Sequence, residues 1–189
     1  MLQEYVDAVK AATQRVDDLT DQLMRALPSW SLAPVVDALV ALRGIDKLAA
    51  TVLLAELGDI SRFDSPKQLM AYLGLVPSEH SSGGRRRQGA ITLTGNRHAR
   101  RMLVECAWSY RFPARQTMHL KRKAKTASPE AKAIAWRAQK RLCGRYRQLS
   151  QAGKNIKLVC VAIARELVGF LWDIVCHEMP NLQGQATRV

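Results

Sequence analysis

Long apolar runs are missing from this chain: nowhere in its 189 residues does one approach the roughly 20 residues that cross a bilayer. The opening Met1-Leu2-Gln3-Glu4-Tyr5 lacks the basic-then-apolar order of a secretory signal, so the expected setting is the cytoplasm, with no membrane partner. Cysteine is sparse. The four residues Cys106, Cys143, Cys160 and Cys176 lie far apart without a C-x-x-C pair, which argues against a zinc site or a disulfide framework and for apolar filling of helix faces. Acidic residues are also in deficit, 16 against 29 Lys plus Arg, for a net charge of +13.

That deficit is local. The segment from Arg85 to Arg147 holds 18 bases and only two acids, Glu105 and Glu130, while the rest of the chain sums to −3. A basic block between near-neutral ends is the footprint of a face that meets a polyanion by displacing its counterions. A solvated charged surface is the plainer alternative. The 48% hydrophobic content is enough to bury a core.

Helical periodicity dominates the chain and predicts an all-α fold. Leu2, Tyr5, Val9, Ala12, Val16, Leu19, Leu23 and Ala26 alternate three-and-four spacing, the seam of a coiled-coil-like helix over residues 1–28 that either packs on its own domain or pairs with a second copy. Pro28 ends it, and Pro28 to Pro34 reads as a short linker. From Val35 a helix runs to Leu42, Arg43-Gly44-Ile45-Asp46 breaks it, and a second helix resumes to Leu57 before Gly58. Helix, glycine turn, helix predicts a helix-hairpin-helix, in which Gly44, Ile45 and Lys47 would hold a phosphate at the second helix's positive end. Asp46 is an anion in that turn; it either accompanies phosphate binding or simply caps the second helix.

Further along, Pro66 to Leu73 predicts a short helix ending at Gly74, and Ser78 to Gly89 reads as an exposed irregular loop. Thr92 or Thr94 is expected to cap a helix from about Asn96 to Tyr110, with Met102, Leu103, Cys106 and Ala107 inward and Arg97, Arg100 and Arg101 on its outer edge. Leu120 to Ser128 reads as a mobile connector, Ser128-Pro129-Glu130 as the start of another helix, and Ile156 to His177 as a last one that closes the core. Trp172 on that helix is expected to pack. The division expected is residues 1–28, a domain at 35–112, a basic connector with C-terminal helices at 113–179, and a disordered tail at 180–189.

The chemistry concentrates at Ser81-Ser82-Gly83-Gly84-Arg85-Arg86-Arg87, where a hydroxyl nucleophile type adjoins guanidinium groups suited to phosphate oxygens. A serine attacks phosphorus only if its proton is removed and the added transition-state charge is neutralised. Arg85, Arg86 and Arg87 supply the second; Glu79, His80 and His98 are candidates for the first. Without catalysis, the same stretch is a flexible loop that carries arginines to nucleic acid.

Taken in order, Gly44-Ile45, Ala71-Tyr72-Leu73-Gly74-Leu75-Val76-Pro77, Ser82-Gly83, Gly89-Ala90-Ile91-Thr92, Gly95-Asn96 and Arg100-Arg101 resemble the C-terminal transposase domain of the insertion sequence 110 family, grouped with the 116 and 902 elements. The resemblance is close over about Leu39 to Tyr110. It implies a bacterial site-specific transposase or recombinase that works with a structured guide RNA and forms a phosphoserine link to DNA. The nucleophile would be Ser82, with Ser81 as the alternative, and Arg85, Arg86, Arg87, Arg97, Arg100 and Arg101 would contact phosphates. It also implies a preceding nuclease-like domain whose acidic residues hold magnesium; that domain is absent from this sequence, so no cofactor or metal is expected within it and activity alone is not. The expected partners are DNA, guide RNA and further copies of the chain. The competing expectation is a non-catalytic DNA- or RNA-binding module, with a ribosomal-type RNA binder as a third.

Overall fold

The computed structural model describes residues 1–79 and 88–186, with the side chains of Gln88 and of residues 180–186 left aside. It divides into two compact units, Met1–Ala33 and a second beginning at Pro34. In the first, α1 (Leu2–Ala26) is a single helix with no buried residue, followed by a 3-10 turn with Pro28 at its start, where the proline's missing N–H costs nothing. The predicted seam lies open, with Leu2, Tyr5, Val9, Val16 and Leu19 all exposed.

The second unit is helical as expected, with one small sheet among the described residues. It contains α2 (Ala33–Leu39), α3 (Lys47–Leu57), α4 (Pro66–Tyr72), α5 (Arg97–Ala107), α6 (Met118–Lys123), α7 (Pro129–Gln151) and α8 (Ile156–Ala186), together with strands β1 (Pro77–Glu79) and β2 (Gln88–Ile91). Local chemistry sets the helix starts. Asp46, Ser65, Asn96, Thr117 and Ser128 each accept an N–H three residues on, satisfying a donor that the first turn leaves without a partner. The cap of α5 is therefore Asn96, and the two threonines proposed from sequence bond to each other instead, Oγ1 to Oγ1 at 3.2 Å.

Packing centres on α8, whose Val159, Ile163, Leu167, Leu171 and Ile174 are buried against α4, α5 and α7. Trp172 packs as expected, its indole N–H donating to Phe63 O at 2.9 Å. Cys106, Cys143 and Cys160 fill buried helix faces. The helix does not stop near His177. Its backbone continues through Pro180 to Ala186, into the stretch read as a disordered tail.

The two ends of the stretch expected to be a loop, at Ser78 and Gly89, instead lie in the strands of an antiparallel pair, with Pro77 opposite Ile91 and Glu79 opposite Gln88. Thr92 N–H donating to Val76 O at 2.9 Å and Leu93 N–H to Gly74 O at 3.2 Å extend the pairing toward α4. The root of this ribbon explains two glycines. Gly74 and Gly95 have φ of +62° and +68°, and a Cβ on Gly95 would overlap Tyr72 O, while one on Gly74 would press on the Thr94 backbone. Sequence periodicity missed the strands because they are short and the pairing is between backbones.

Gly95→Ala is expected to cost about 2–4 kcal/mol, combining left-handed strain with the clash on Tyr72 O. Urea unfolding against wild type measures it, and Gly153→Ala, with the same sign of φ but open space around it, is expected to lose distinctly less.

Candidate functional site

The site is built outward from one buried cation. Arg100 lies one and two turns before Leu103 and Ala107 on the inner face of α5, so it is carried into the core and is only 7% exposed. One of its terminal nitrogens donates to Leu73 O at 2.9 Å and to Thr94 O at 2.7 Å. The guanidinium thereby ties the end of α4 to the strand leading into α5, across the two glycines. The expectation of an outward-facing Arg100 is corrected: its donors are used inside the fold, where an unpaired charge would be costly.

Arg97 and Arg101, by contrast, are exposed as expected. Arg101 pairs with Glu105 at 2.8 Å, one turn on, and Arg97 makes no ion pair among the described residues. Between them, His98 meets a partner that sequence reading overlooked. Glu56, near the end of α3, accepts from Asn96 Nδ2 at 2.6 Å through one oxygen and from His98 Nδ1 at 2.8 Å through the other. An ionised carboxylate can only accept, so the imidazole carries its hydrogen on Nδ1 and Nε2 is left as the basic nitrogen of the neutral ring. No local spacing signals this contact, which spans about 40 residues of chain. The hydrogen bond from Asn96, and then that from His98, hold the Glu56 carboxyl below its ordinary 4.5.

Ser81, Ser82, Arg85, Arg86 and Arg87 lie outside the described residues. What the structure places are the two ends of their segment: Glu79 and Gln88 are register partners, so the chain enters and leaves at adjacent points of a ribbon rooted beside the start of α5.

The glycine turn between α2 and α3, expected to hold a phosphate, engages several of its polar groups within the fold. Ile45 is fully buried, its N–H donates to Leu42 O at 3.3 Å, and its carbonyl accepts from Lys123 Nζ at 2.6 Å. Gly44 turns at φ +87°, and a side chain there would also overlap Ser109 Oγ and Cys106 O, so the position requires glycine on both counts. Asp46 caps α3 through Ala49 N–H at 2.8 Å, and Lys47 pairs with Asp37 at 3.1 Å. Two of the donors proposed for a phosphate, the Ile45 N–H and the Lys47 ammonium, therefore already have partners within the fold. Lys123, read as part of a mobile connector, is drawn inward with α6; burial pulls its ammonium down to about 8.

The basic block thus separates by partner. Arg137 pairs with Asp173 at 3.1 Å, and Arg141 and Arg145 share Glu166 at 2.9 and 3.5 Å, so these three link α7 to α8. Arg97, Arg115, Lys121, Arg122, Lys125 and Lys132 form no ion pair among the described residues. No group of three or more His, Cys, Asp or Glu side chains suited to a metal ion occurs among those residues either.

The second unit is thus a helical domain that roots a paired-strand ribbon near the start of a helix carrying a carboxylate-held histidine, and a subset of its cations forms no ion pair among the described residues. Over residues 36–123 this chain matches the model of the Transposase IS116/IS110/IS902 family. A Sinorhizobium fredii protein named as a transposase, y4qE, is 51% identical over 78% of this chain and 38% of its own length. The transposase for insertion sequence element IS1111A of Coxiella burnetii is 31% identical over 71% of this chain and 31% of its own. The pilin gene-inverting protein of Moraxella bovis is 27% identical over 75% of this chain and 37% of its own. The chain spans about a third of the length of these curated relatives.

The Glu56 contact has a pH signature. A carboxyl depressed in the fold adds stability above its unfolded value near 4.5 and loses it as pH falls through the lower folded value. Glu56→Gln is expected to flatten the acid limb of the stability profile below about pH 4.5, as measured by urea unfolding from pH 3 to 7, relative to wild type.

Proposed function

We propose that this domain is the DNA-binding, serine-donating part of a site-specific transposase or recombinase, acting with a structured guide RNA. In this reading Ser82 attacks a DNA phosphorus. A bond forms from its oxygen to phosphorus, the bond from phosphorus to a sugar oxygen breaks, and the departing oxygen takes up a proton. His98 Nε2 removes the serine proton, with Glu56 fixing the ring through Nδ1, the division of labour by which a carboxylate positions a histidine base. Arg85, Arg86 and Arg87 neutralise the transition-state charge, and Arg97 contacts an adjoining phosphate. Magnesium chemistry is assigned to a nuclease-like domain that works with this one. The exposed seam of α1 pairs with α1 of a second copy, burying Leu2, Tyr5, Val9, Val16 and Leu19.

The observation that carries this reading is the pairing of Glu79 with Gln88 on a ribbon rooted at the start of α5, the helix that bears Arg97 and His98. It supports the reading because the two ends of the serine segment are held together on a ribbon whose second strand leads into the helix that carries His98. With labelled DNA, guide RNA and the nuclease-like domain present, the expected product is a protein–DNA adduct that Ser82→Ala abolishes and Ser81→Ala leaves intact. His98→Ala is expected to slow adduct formation by about 100- to 10,000-fold. An adduct that persists in Ser82→Ala overturns the nucleophile; duplex binding with no adduct in any mixture leaves a binding module alone.

The division of the cations is open to a salt titration. On duplex DNA, log affinity is expected to fall with log salt at about −0.9 per neutralised phosphate. Arg122→Ala is expected to reduce that slope by about one such unit, whereas Arg141→Ala, whose charge already meets Glu166, is expected to leave it unchanged.

A further inference from the structure

Between α6 and α7 lies a cleft of about 400 Å³ that the proposed reaction does not use. Its construction follows from helical spacing. Lys132, Trp136 and Gln139 fall at successive turns on one face of α7, and Lys121 and Lys125 face them from α6 and its C-terminal turn, with Arg115 just before it. Lys132 Nζ reaches back to Lys125 O at 3.3 Å, which holds the two walls together. The four cations of the lining form no ion pair among the described residues, and no carboxylate lines the cleft.

Two features narrow what the cleft can hold. The first is Trp136, half-buried at the wall, with Lys140 Nζ 5.7 Å from its ring centroid but outside the lining. A flat π-system is thus bordered by positive charge, a setting for a ring joined to an anion. The second is Gln139. It is only 4% exposed, and its Oε1 accepts no hydrogen bond among the described residues. A buried acceptor left without a donor is unfavourable, so an N–H delivered into the cleft would be taken up strongly.

We propose that this cleft seats one unstacked nucleotide of a nucleic-acid strand, its base against Trp136 and Gln139 and its flanking phosphates among Arg115, Lys121, Lys125 and Lys132. A base inside a duplex cannot offer its face to an indole, so the occupant is an unpaired or extruded one. The Gln139 carboxamide pairs best with adenine, accepting from the exocyclic amine through Oε1 and donating to the neighbouring ring nitrogen. Ala41, Leu120, Ala124 and Ala135 add apolar wall to the cleft beside that contact.

The inference rests on the reading of the domain as a nucleic-acid binder, and the test separates the two. Affinities are measured for a plain duplex and for the same duplex carrying one bulged adenine or one bulged thymine, in DNA and in RNA. The expected result is binding to every probe with a preference of about ten-fold for the bulged adenine; the backbone type showing the larger preference identifies the strand that occupies the cleft. Trp136→Ala is expected to abolish the preference and keep duplex affinity, and Trp136→Phe to restore most of it. Gln139→Met removes the orphan acceptor, so it is expected to leave the free protein at least as thermally stable while erasing the distinction between adenine and thymine. Equal affinity for plain and bulged duplexes, or a preference that survives Trp136→Ala, overturns the cleft proposal alone. Failure to bind any probe overturns the nucleic-acid reading itself.

Discussion

A single buried guanidinium organises the part of this protein that matters most. Arg100 donates to the carbonyls of Leu73 and Thr94, two strands of backbone brought so close that Gly74 and Gly95 have no room for a Cβ. The cation is tolerated in the core because its charge faces oriented carbonyl oxygens, and those carbonyls in turn escape burial without a donor. From this junction the ribbon of β1 and β2 departs and α5 begins. The placement of the ribbon and of His98 thus descends from the same contact.

Around that junction the cations fall into two populations. Arg100 and Lys123 hold backbone carbonyls, while Arg137, Arg141 and Arg145 meet the carboxylates of α8. Exposed ion pairs of this kind add little stability individually, yet they neutralise charge that net composition assigns to the surface. Among the described residues, the cations of this block that form no ion pair include Lys121 and Arg122 on α6, Lys132 on the facing side of α7 and Arg97 at the start of α5. A sum over sequence therefore overstates the charge free to meet a polyanion and says nothing of where it lies.

The helical class was legible because apolar spacing and capping chemistry agree along most of the chain: Asp46, Ser65 and Ser128 sit where the caps are found. The family was legible from short glycine-bearing elements in a fixed order, and the geometry gives the reason for two of them in the backbone contact at Gly74 and Gly95. Arg100 was readable in principle, since it shares a helical face with Leu103 and Ala107, but the charge type suggested the opposite side. The Glu56–His98 contact and the inward turn of Lys123 left no trace in local pattern, because each joins segments far apart in sequence. At Gly44, Ile45 and Lys47, where a phosphate site was expected, the Ile45 N–H and the Lys47 ammonium have partners within the fold that the local motif does not signal.

The organising role of Arg100 is tested most directly by amide hydrogen exchange at Thr92 and Leu93, whose N–H groups donate to Val76 O and Gly74 O at the ribbon's root. Replacing Arg100 with Met is expected to collapse protection at these two amides while those in the middle of α7 and α8 remain protected. Unchanged protection at Thr92 and Leu93 would contradict the account.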